Sequence, residues 1–243
     1  MGSLNSVNNF CFMSKFADDV TSICPIFHYS SNDHILQEHN SFVNWSTSKL
    51  LILNKDKCKW LIFTKPKCKQ DYSTPIIQMT VVNKLRILGV IFDNSLHWDS
   101  HITHVTCIAS RRLYCLRVLK QFFNCKQLLL IYKSYIRSIL EYCPSLLVGL
   151  NVNLSHKLES VQKRAYRIIY GESLVISEHE KLSNRRLKAS IKLFHKAQSK
   201  SHCLNYILPP KSQFSNRYIL PHITSTRKLH SFTIETTIAL NSL

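Results

Sequence analysis

Two adjacent carboxylates near the start of the chain are the residues best suited to chemistry. Asp18 and Asp19 lie between two short apolar runs, 10–13 and 20–24, and this pattern predicts a β-hairpin with the acids at its turn. Adjacent carboxylates repel each other and are poor strand residues, so a fold that keeps them there commonly neutralises them with a cation. Their oxygens suit Mg²⁺ or Mn²⁺ and two-metal phosphoryl transfer. The alternative is a solvated turn.

Several short motifs then follow one another along the chain. They are Phe16-Ala17-Asp18-Asp19, Leu53-Asn54-Lys55-Asp56-Lys57, Leu88-Gly89-Val90-Ile91-Phe92-Asp93, Ile131-Tyr132-Lys133-Ser134-Tyr135-Ile136, Leu158-Glu159-x-x-Gln162-Lys163-Arg164-Ala165 and Leu240-Asn241-Ser242-Leu243. Over about residues 10–243 this ordered set resembles the C-terminal part of the reverse transcriptases of non-LTR (LINE-type) retrotransposons. The sequence departs from the family at Cys58, where Thr is usual, and at Leu240, where Trp is usual.

The resemblance implies an RNA-directed DNA polymerase, a nucleotidyltransferase. Asp18 and Asp19 would be its catalytic ligands for Mg²⁺ (or Mn²⁺), and Lys57 a candidate general acid near the leaving pyrophosphate. The implied partners are an RNA template, a DNA primer and a dNTP. In the family, the fingers and another palm Asp precede the hairpin, and here no acid precedes Asp18. We therefore expect weak metal binding, no polymerisation by this chain alone, and the N-terminal part of the polymerase as a further partner.

The formal net charge of +18 is distributed unevenly over the 243 residues. Residues 1–56 carry three lysines against five acids, so the remainder is more basic still. Between residues 111 and 171, eleven Lys and Arg face only two acids, Glu141 and Glu159. This excess favours an anionic polymer as partner, although charge alone does not separate nucleic acid from anionic lipid. The predicted nucleic-acid contacts are Arg111, Arg112, Arg117, Lys120, Lys163, Arg164 and Arg167.

Two other functions remain open. The first is a non-catalytic nucleic-acid-binding remnant of such a polymerase, which would use its basic helices and be indifferent to Asp18. The second is a membrane-surface protein, because Met1-Gly2-Ser3-Leu4-Asn5-Ser6 fits the myristoylation pattern. Most of the tyrosines that interleave with the basic residues are expected in the core; they are Tyr132, Tyr135, Tyr142, Tyr166 and Tyr170.

Nine scattered cysteines, with no Cys-x-x-Cys pair, are typical of free buried thiols in a reducing compartment. With no signal peptide and no apolar run long enough to span a membrane, we expect a nuclear or cytoplasmic protein. His101, His104 and Cys107 are spaced around a helix rather than along one face, and they do not complete a zinc site.

The secondary structure expected from the sequence, which must position these residues, is that of an α+β protein. A partial polymerase palm, made of a β-hairpin, short strands and one helix, is expected over 1–95. A basic α-helical thumb and post-thumb region follows over 96–207, and an irregular tail over 208–243. Such a palm would expose a sheet edge and an apolar face, and so favour aggregation. The strands are predicted at 10–16, 20–24, 60–63, 76–81 and 87–92, and the helices at 33–46, 101–120, 126–147 (with Pro144 as its breaker), 154–170 (stopped by Gly171) and 181–200.

Overall fold

The computed structural model describes residues 5–27, 32–63, 79–171, 181–212, 215, 217–220, 222 and 231–242. The chain divides into two compact units, Met1–Arg86 with Asp93–Leu96, and Ile87–Phe92 with His97–Leu243. The secondary structure mixes helices with two-stranded sheets. The predicted α+β class is thus confirmed at that level.

The predicted acidic hairpin is present in the first unit. Strands β1 (Phe12–Phe16) and β2 (Asp19–Ile23) pair antiparallel, and Phe16 lies opposite Asp19. Ala17 and Asp18 therefore form a two-residue turn. Ala17 has a φ of 53°, since the tight turns that match strand twist need a positive φ at the first central position.

Helix α1 (Asp33–Ser48) follows, close to the predicted 33–46. Its buried side includes a carboxylate, Glu38, which is 2% exposed. Glu38 accepts hydrogen bonds from the backbone nitrogens of Val7, at 3.0 Å, and Asn8, at 3.4 Å. The buried charge is tolerated because these donors satisfy it.

The remaining strands of this region are short. A 3₁₀ turn (Lys55–Lys57) precedes β3 (Lys59–Trp60), which pairs in parallel with β4 (Thr80–Val81). The strand predicted at 60–63 is thus limited to its first residue. Of the strand predicted at 76–81, residues 76–78 lie outside the described residues.

The single strand predicted at 87–92 is wrong. The structure has a second hairpin, β5 (Lys84–Ile87) and β6 (Val90–Asp93), and the division between the two units falls within it. Leu88 and Gly89 have φ values of 46° and 88°. Two consecutive residues with positive φ reverse the chain, which an extended strand cannot do.

The second unit is helical from residue 99. Between α4 (Ser138–Leu140) and α5 (Val152–Tyr170), Cys143 has a φ of 49° and Pro144 begins a 3₁₀ turn. The helix predicted over 126–147 is therefore interrupted, as Pro144 indicated. Gly171, with a φ of 89°, ends α5 as predicted. The helices are α2 (Asp99–Leu119), α3 (Cys125–Ile131), a π-helical turn (Tyr132–Arg137), α4 (Ser138–Leu140), a 3₁₀ turn (Pro144–Leu147), α5 (Val152–Tyr170), α6 (Leu182–Ala197), a 3₁₀ turn (Asn205–Ile207) and α7 (Phe232–Asn241).

Helices α2 and α5 pack against each other and against the segment 125–147. Ile102, Leu116, Leu158 and Ile169 are at most 2% exposed. Each such side chain contributes about 1.5–3 kcal/mol of burial, so the apolar faces of these helices hold the unit together.

Helix α7 corrects the prediction of an irregular tail over 208–243. Its threonines and isoleucines are poor helix formers, which hides it from propensity, but it packs on α6 with Ile234, Thr236 and Thr237 buried. Asn241 holds the segment around Tyr218 against α7, because the Asn241 side-chain amide exchanges hydrogen bonds of 2.9 and 3.0 Å with the Tyr218 backbone.

Candidate functional site

The hairpin presents both predicted metal ligands to solvent. Asp18 lies in the turn, Asp19 begins β2, and both side chains are exposed. Within the described ranges, no group of three or more His, Cys, Asp or Glu residues comes together. Carboxylate oxygens suit Mg²⁺, but two on one turn are fewer than a two-metal centre needs. We therefore derive no catalytic step from this hairpin alone.

Lys57, the predicted general acid, is also exposed. The side chain of Asn54 accepts a 3.2 Å hydrogen bond from the Lys57 backbone nitrogen and caps the 3₁₀ turn. Among the residues that the structure describes, no ion pair joins Lys57 to Asp18 or Asp19. Asn54 therefore has a local structural role, and Lys57 remains a cation on the surface.

The motif residues of helix α5 divide between a buried face and an exposed face. Gln162 is fully buried and accepts a 2.8 Å hydrogen bond from the phenol of Tyr132. Burial, with Tyr166 nearby, raises the pKa of Tyr132 well above its usual range. The three predicted contacts on this helix, at i, i+1 and i+4, all have exposed side chains: Lys163, Arg164 and Arg167.

An open groove of about 270 Å³ runs between α2 and α5. Its polar lining consists of two cations, Lys157 and Arg164, and hydroxyls from both helices. Arg164 Nη2 donates to Ser110 Oγ at 2.8 Å, which fixes the guanidinium at the edge of the groove. Cations beside hydroxyl donors are the groups that bind phosphate oxygens. The hydroxyl residues are Thr103, Thr106, Ser110 and Ser160.

On α2 the four predicted contacts differ. Arg111, Arg117 and Lys120 are exposed. Arg112 is half-buried; its guanidinium lies 4.0 Å from the ring centre of Tyr135, and Nη1 donates to the Tyr135 carbonyl at 2.5 Å. Part of the Arg112 guanidinium thus donates to the π-helical turn, whereas the charged groups of the other three residues face solvent.

The two acids of residues 111–171 bind cations and an amide inside the unit. Glu141 forms a two-nitrogen ion pair with Arg185, with Nη2 to Oε2 at 3.1 Å. Glu159 accepts a 3.0 Å hydrogen bond from the Ser183 backbone nitrogen in the first turn of α6. Arg186 is 2% exposed, and burial lowers its pKa while Glu159 and Glu141 oppose that shift. The acids of α2 and α5 are thus Asp99, in the first turn of α2, and Glu159, which is engaged by α6, so the exposed face of these two helices is predominantly cationic.

The five tyrosines do not all join the core. Tyr132 and Tyr166 are buried, with ring centres 5.5 Å apart. Tyr135, Tyr142 and Tyr170 are 45%, 44% and 38% exposed, so the expectation that most are core is wrong. All three have partners in the same unit: Tyr135 stacks with Arg112, Tyr142 donates to the Leu88 carbonyl at 2.7 Å, and the ring centre of Tyr170 lies 5.9 Å from that of Tyr166.

Among the described residues, the cysteines and histidines supply no further site. The eight described cysteines are free thiols, as predicted, but only Cys11 among them is buried. His101 is buried and accepts a 3.4 Å hydrogen bond from the Ile91 backbone nitrogen, while Cys107 is exposed on the groove between α2 and α5. In the described part of the chain, no helix has the length and apolar character to cross a membrane.

Sequence reasoning missed Tyr114 and Phe122, which the structure places at the surface with 69% and 74% exposure. The sequence held a signal for this, since Tyr114 stands three residues from both Arg111 and Arg117.

Comparison of the chain with protein-family models, curated proteins and solved structures finds no match.

Proposed function

We propose that this chain carries the palm hairpin and the helical, nucleic-acid-binding part of a non-LTR retrotransposon reverse transcriptase. The ordered motifs between residues 10 and 243 support the family. The observation that carries the binding function is the cationic face of α2 and α5. Glu159 of α5, and Glu141 after α4, both bind groups of α6 instead. The proposed ligand is an RNA template paired with a DNA primer.

Binding would act mainly on the phosphate backbone. Lys163, Arg164 and Arg167 displace condensed counterions from the nucleic acid, and this release supplies sequence-independent affinity. Two hydroxyls of the α2–α5 groove, those of Thr103 and Ser110, can donate to the same phosphate oxygens, as Ser and Thr do in protein–nucleic acid contacts. Those of Thr106 and Ser160 donate to carbonyls of their own helices. The surface thus fits a partner whose anionic groups repeat along a line.

In the intact polymerase, Asp18 and Asp19 would contribute carboxylates to a Mg²⁺ or Mn²⁺ centre. Lys57 would act as general acid toward the pyrophosphate that leaves the dNTP. A second candidate function is nucleic-acid binding without catalysis, in a nuclear or cytoplasmic protein. It is favoured by one observation, that the described residues bring no third acid to the hairpin.

Binding is tested by fluorescence anisotropy with a labelled RNA–DNA hybrid and three substitutions on α5 together, Lys163→Ala, Arg164→Ala and Arg167→Ala. We expect at least about tenfold weaker binding, and a slope of log K against log[salt] that is less steep by about 3. The titration covers about 50–200 mM salt, where backbone contacts lose most affinity.

The matched control removes three exposed cations from α6, through Lys188→Ala, Lys192→Ala and Lys196→Ala. It changes net charge equally, so a general electrostatic effect would weaken both variants alike. A larger loss for the α5 variant supports the proposed surface. Equal losses, or binding by the wild-type chain that does not depend on salt, would contradict it.

A further inference from the structure

Tyr114 on α2 and Phe122 in the turn after it are among the most exposed aromatic side chains that the structure describes, at 69% and 74%. Neither takes part in a ring contact, a cation–π contact or a side-chain hydrogen bond with another described residue. Single exposed apolar residues are common, but these two are flanked by cations. Their surroundings therefore indicate a ligand.

The charged residues next to these rings in sequence all have one sign. Arg111 and Arg117 stand three residues before and after Tyr114, which on a helix puts their Cβ atoms about 5–6 Å from its own. Lys120 precedes Phe122 by two residues, and all three cations are exposed. No Asp or Glu occurs between Asp99 and Glu141. A polyanion therefore meets no acidic side chain from this stretch of sequence.

We propose that Arg111, Tyr114, Arg117, Lys120 and Phe122, together the α2 strip, bind a single strand of nucleic acid. Unpaired bases stack on Tyr114 and Phe122, and the cations pair with the phosphates between them. Aromatic platforms within a positively charged track are how proteins hold single strands without sequence preference. The inference rests on the proposed function, because it assumes that the chain binds nucleic acid.

A duplex would not use these rings. Paired bases stack on one another inside the duplex, so a flat ring on a helix surface meets only sugar and phosphate. The cations of α5 serve such a backbone, whereas Tyr114 adds affinity only where a base is unpaired. The α2 strip is thus the part of the cationic surface that prefers a single strand to a duplex.

The test compares Tyr114→Ala with Tyr114→Phe in the full chain. The probes are a fluorescein-labelled RNA of about 12 nucleotides and an RNA–DNA hybrid duplex of the same sequence. We expect Tyr114→Ala to weaken single-strand binding about tenfold, and Tyr114→Phe, which keeps the ring, to stay within about twofold. Duplex binding should change less than about twofold in either variant. A 2-aminopurine base in the single strand should lose its stacking-dependent quenching only with Tyr114→Ala.

The outcomes separate the two proposals. If Tyr114→Ala binds the single strand like the wild type while duplex binding stays salt-dependent, the α2 strip is overturned and the proposed function stands. If the wild type binds neither probe, the proposed function itself fails. If Tyr114→Ala instead abolishes flotation with phosphatidylserine vesicles, or changes the sedimentation coefficient of the chain, the strip belongs to a lipid surface or a second copy and the inference is wrong.

Discussion

The phenol of Tyr132 donates a 2.8 Å hydrogen bond to the side-chain oxygen of Gln162, joining the π-helical turn to α5 in the interior of the helical unit. Both side chains are fully buried. The motif that carries the resemblance on α5 thus contains a structural residue, Gln162, beside two exposed cations, Lys163 and Arg164. Stability and binding should therefore respond to different positions of the same motif.

Tyr132→Phe should destabilise the chain by about 1–3 kcal/mol, because it removes the phenol that donates to the buried Gln162 oxygen. Urea unfolding followed by circular dichroism measures the change. The matched control is Tyr135→Phe, at an exposed tyrosine whose ring still stacks with Arg112; it should cost less than about 0.5 kcal/mol. Equal costs for the two variants would argue against a role of the buried bond.

The same tyrosine predicts a loss of stability in alkali. Burial raises the pKa of Tyr132 above the value near 10 of an unfolded tyrosine. Above about pH 10 the unfolded chain releases this proton first, so stability is full below pH 10 and falls as the pH rises. Its contribution to the slope is at most about 1.4 kcal/mol per pH unit. Urea midpoints at pH 8 and pH 10.5 should diverge less in Tyr132→Phe than in the wild type.

Glu159 should matter for folding through α6 rather than through the surface. Glu159→Ala removes the acceptor of the Ser183 backbone nitrogen and a negative charge near the buried Arg186. Losing the capping bond costs about 1 kcal/mol, and leaving a buried cation less compensated costs more. We expect a total of about 2–4 kcal/mol from urea unfolding, and a smaller loss for Glu159→Gln, which keeps an acceptor. No difference between Ala and Gln would mean that the charge has no effect.

The sequence predicted the elements whose pattern is local. The acidic hairpin, α1, α2, α5 and α6 follow from period and end signals such as Gly171. Lys163, Arg164 and Arg167, predicted from the sequence as nucleic-acid contacts, are all exposed.

The misses depend on tertiary context. Positive φ values at Leu88 and Cys143 have no signal in those side chains, and α7 owes its helix to packing on α6. Burial of Glu38 depends on the backbone of Val7, thirty-one residues away. The inward orientation of Glu141 and Glu159 likewise depends on α6, which no local pattern shows.

The acidic hairpin should promote self-association. Phe12, Phe16 and Ile23 lie on one face of the two-stranded ribbon by its register, and they are 53%, 64% and 57% exposed. Exposed apolar ribbons with open edges are templates for aggregation. Phe12→Thr with Phe16→Thr keeps β-propensity and should lower light scattering at neutral pH. Val152→Thr, at an apolar residue that is 68% exposed on α5, is the control and should leave scattering unchanged.

Substitution of Asp18 should leave nucleic-acid binding unchanged, because the proposed role of this residue is in catalysis alone. The purified chain should extend no primer on an RNA template with Mg²⁺ or Mn²⁺, since the described residues offer no third acid to the hairpin. Asp18→Asn should keep hybrid affinity within about twofold, because the proposed phosphate contacts are on α2 and α5. The α5 triple variant provides the positive control for loss of binding. Primer extension that Asp18→Asn abolishes would show that the hairpin forms a complete centre, and would overturn the expectation of an inactive chain.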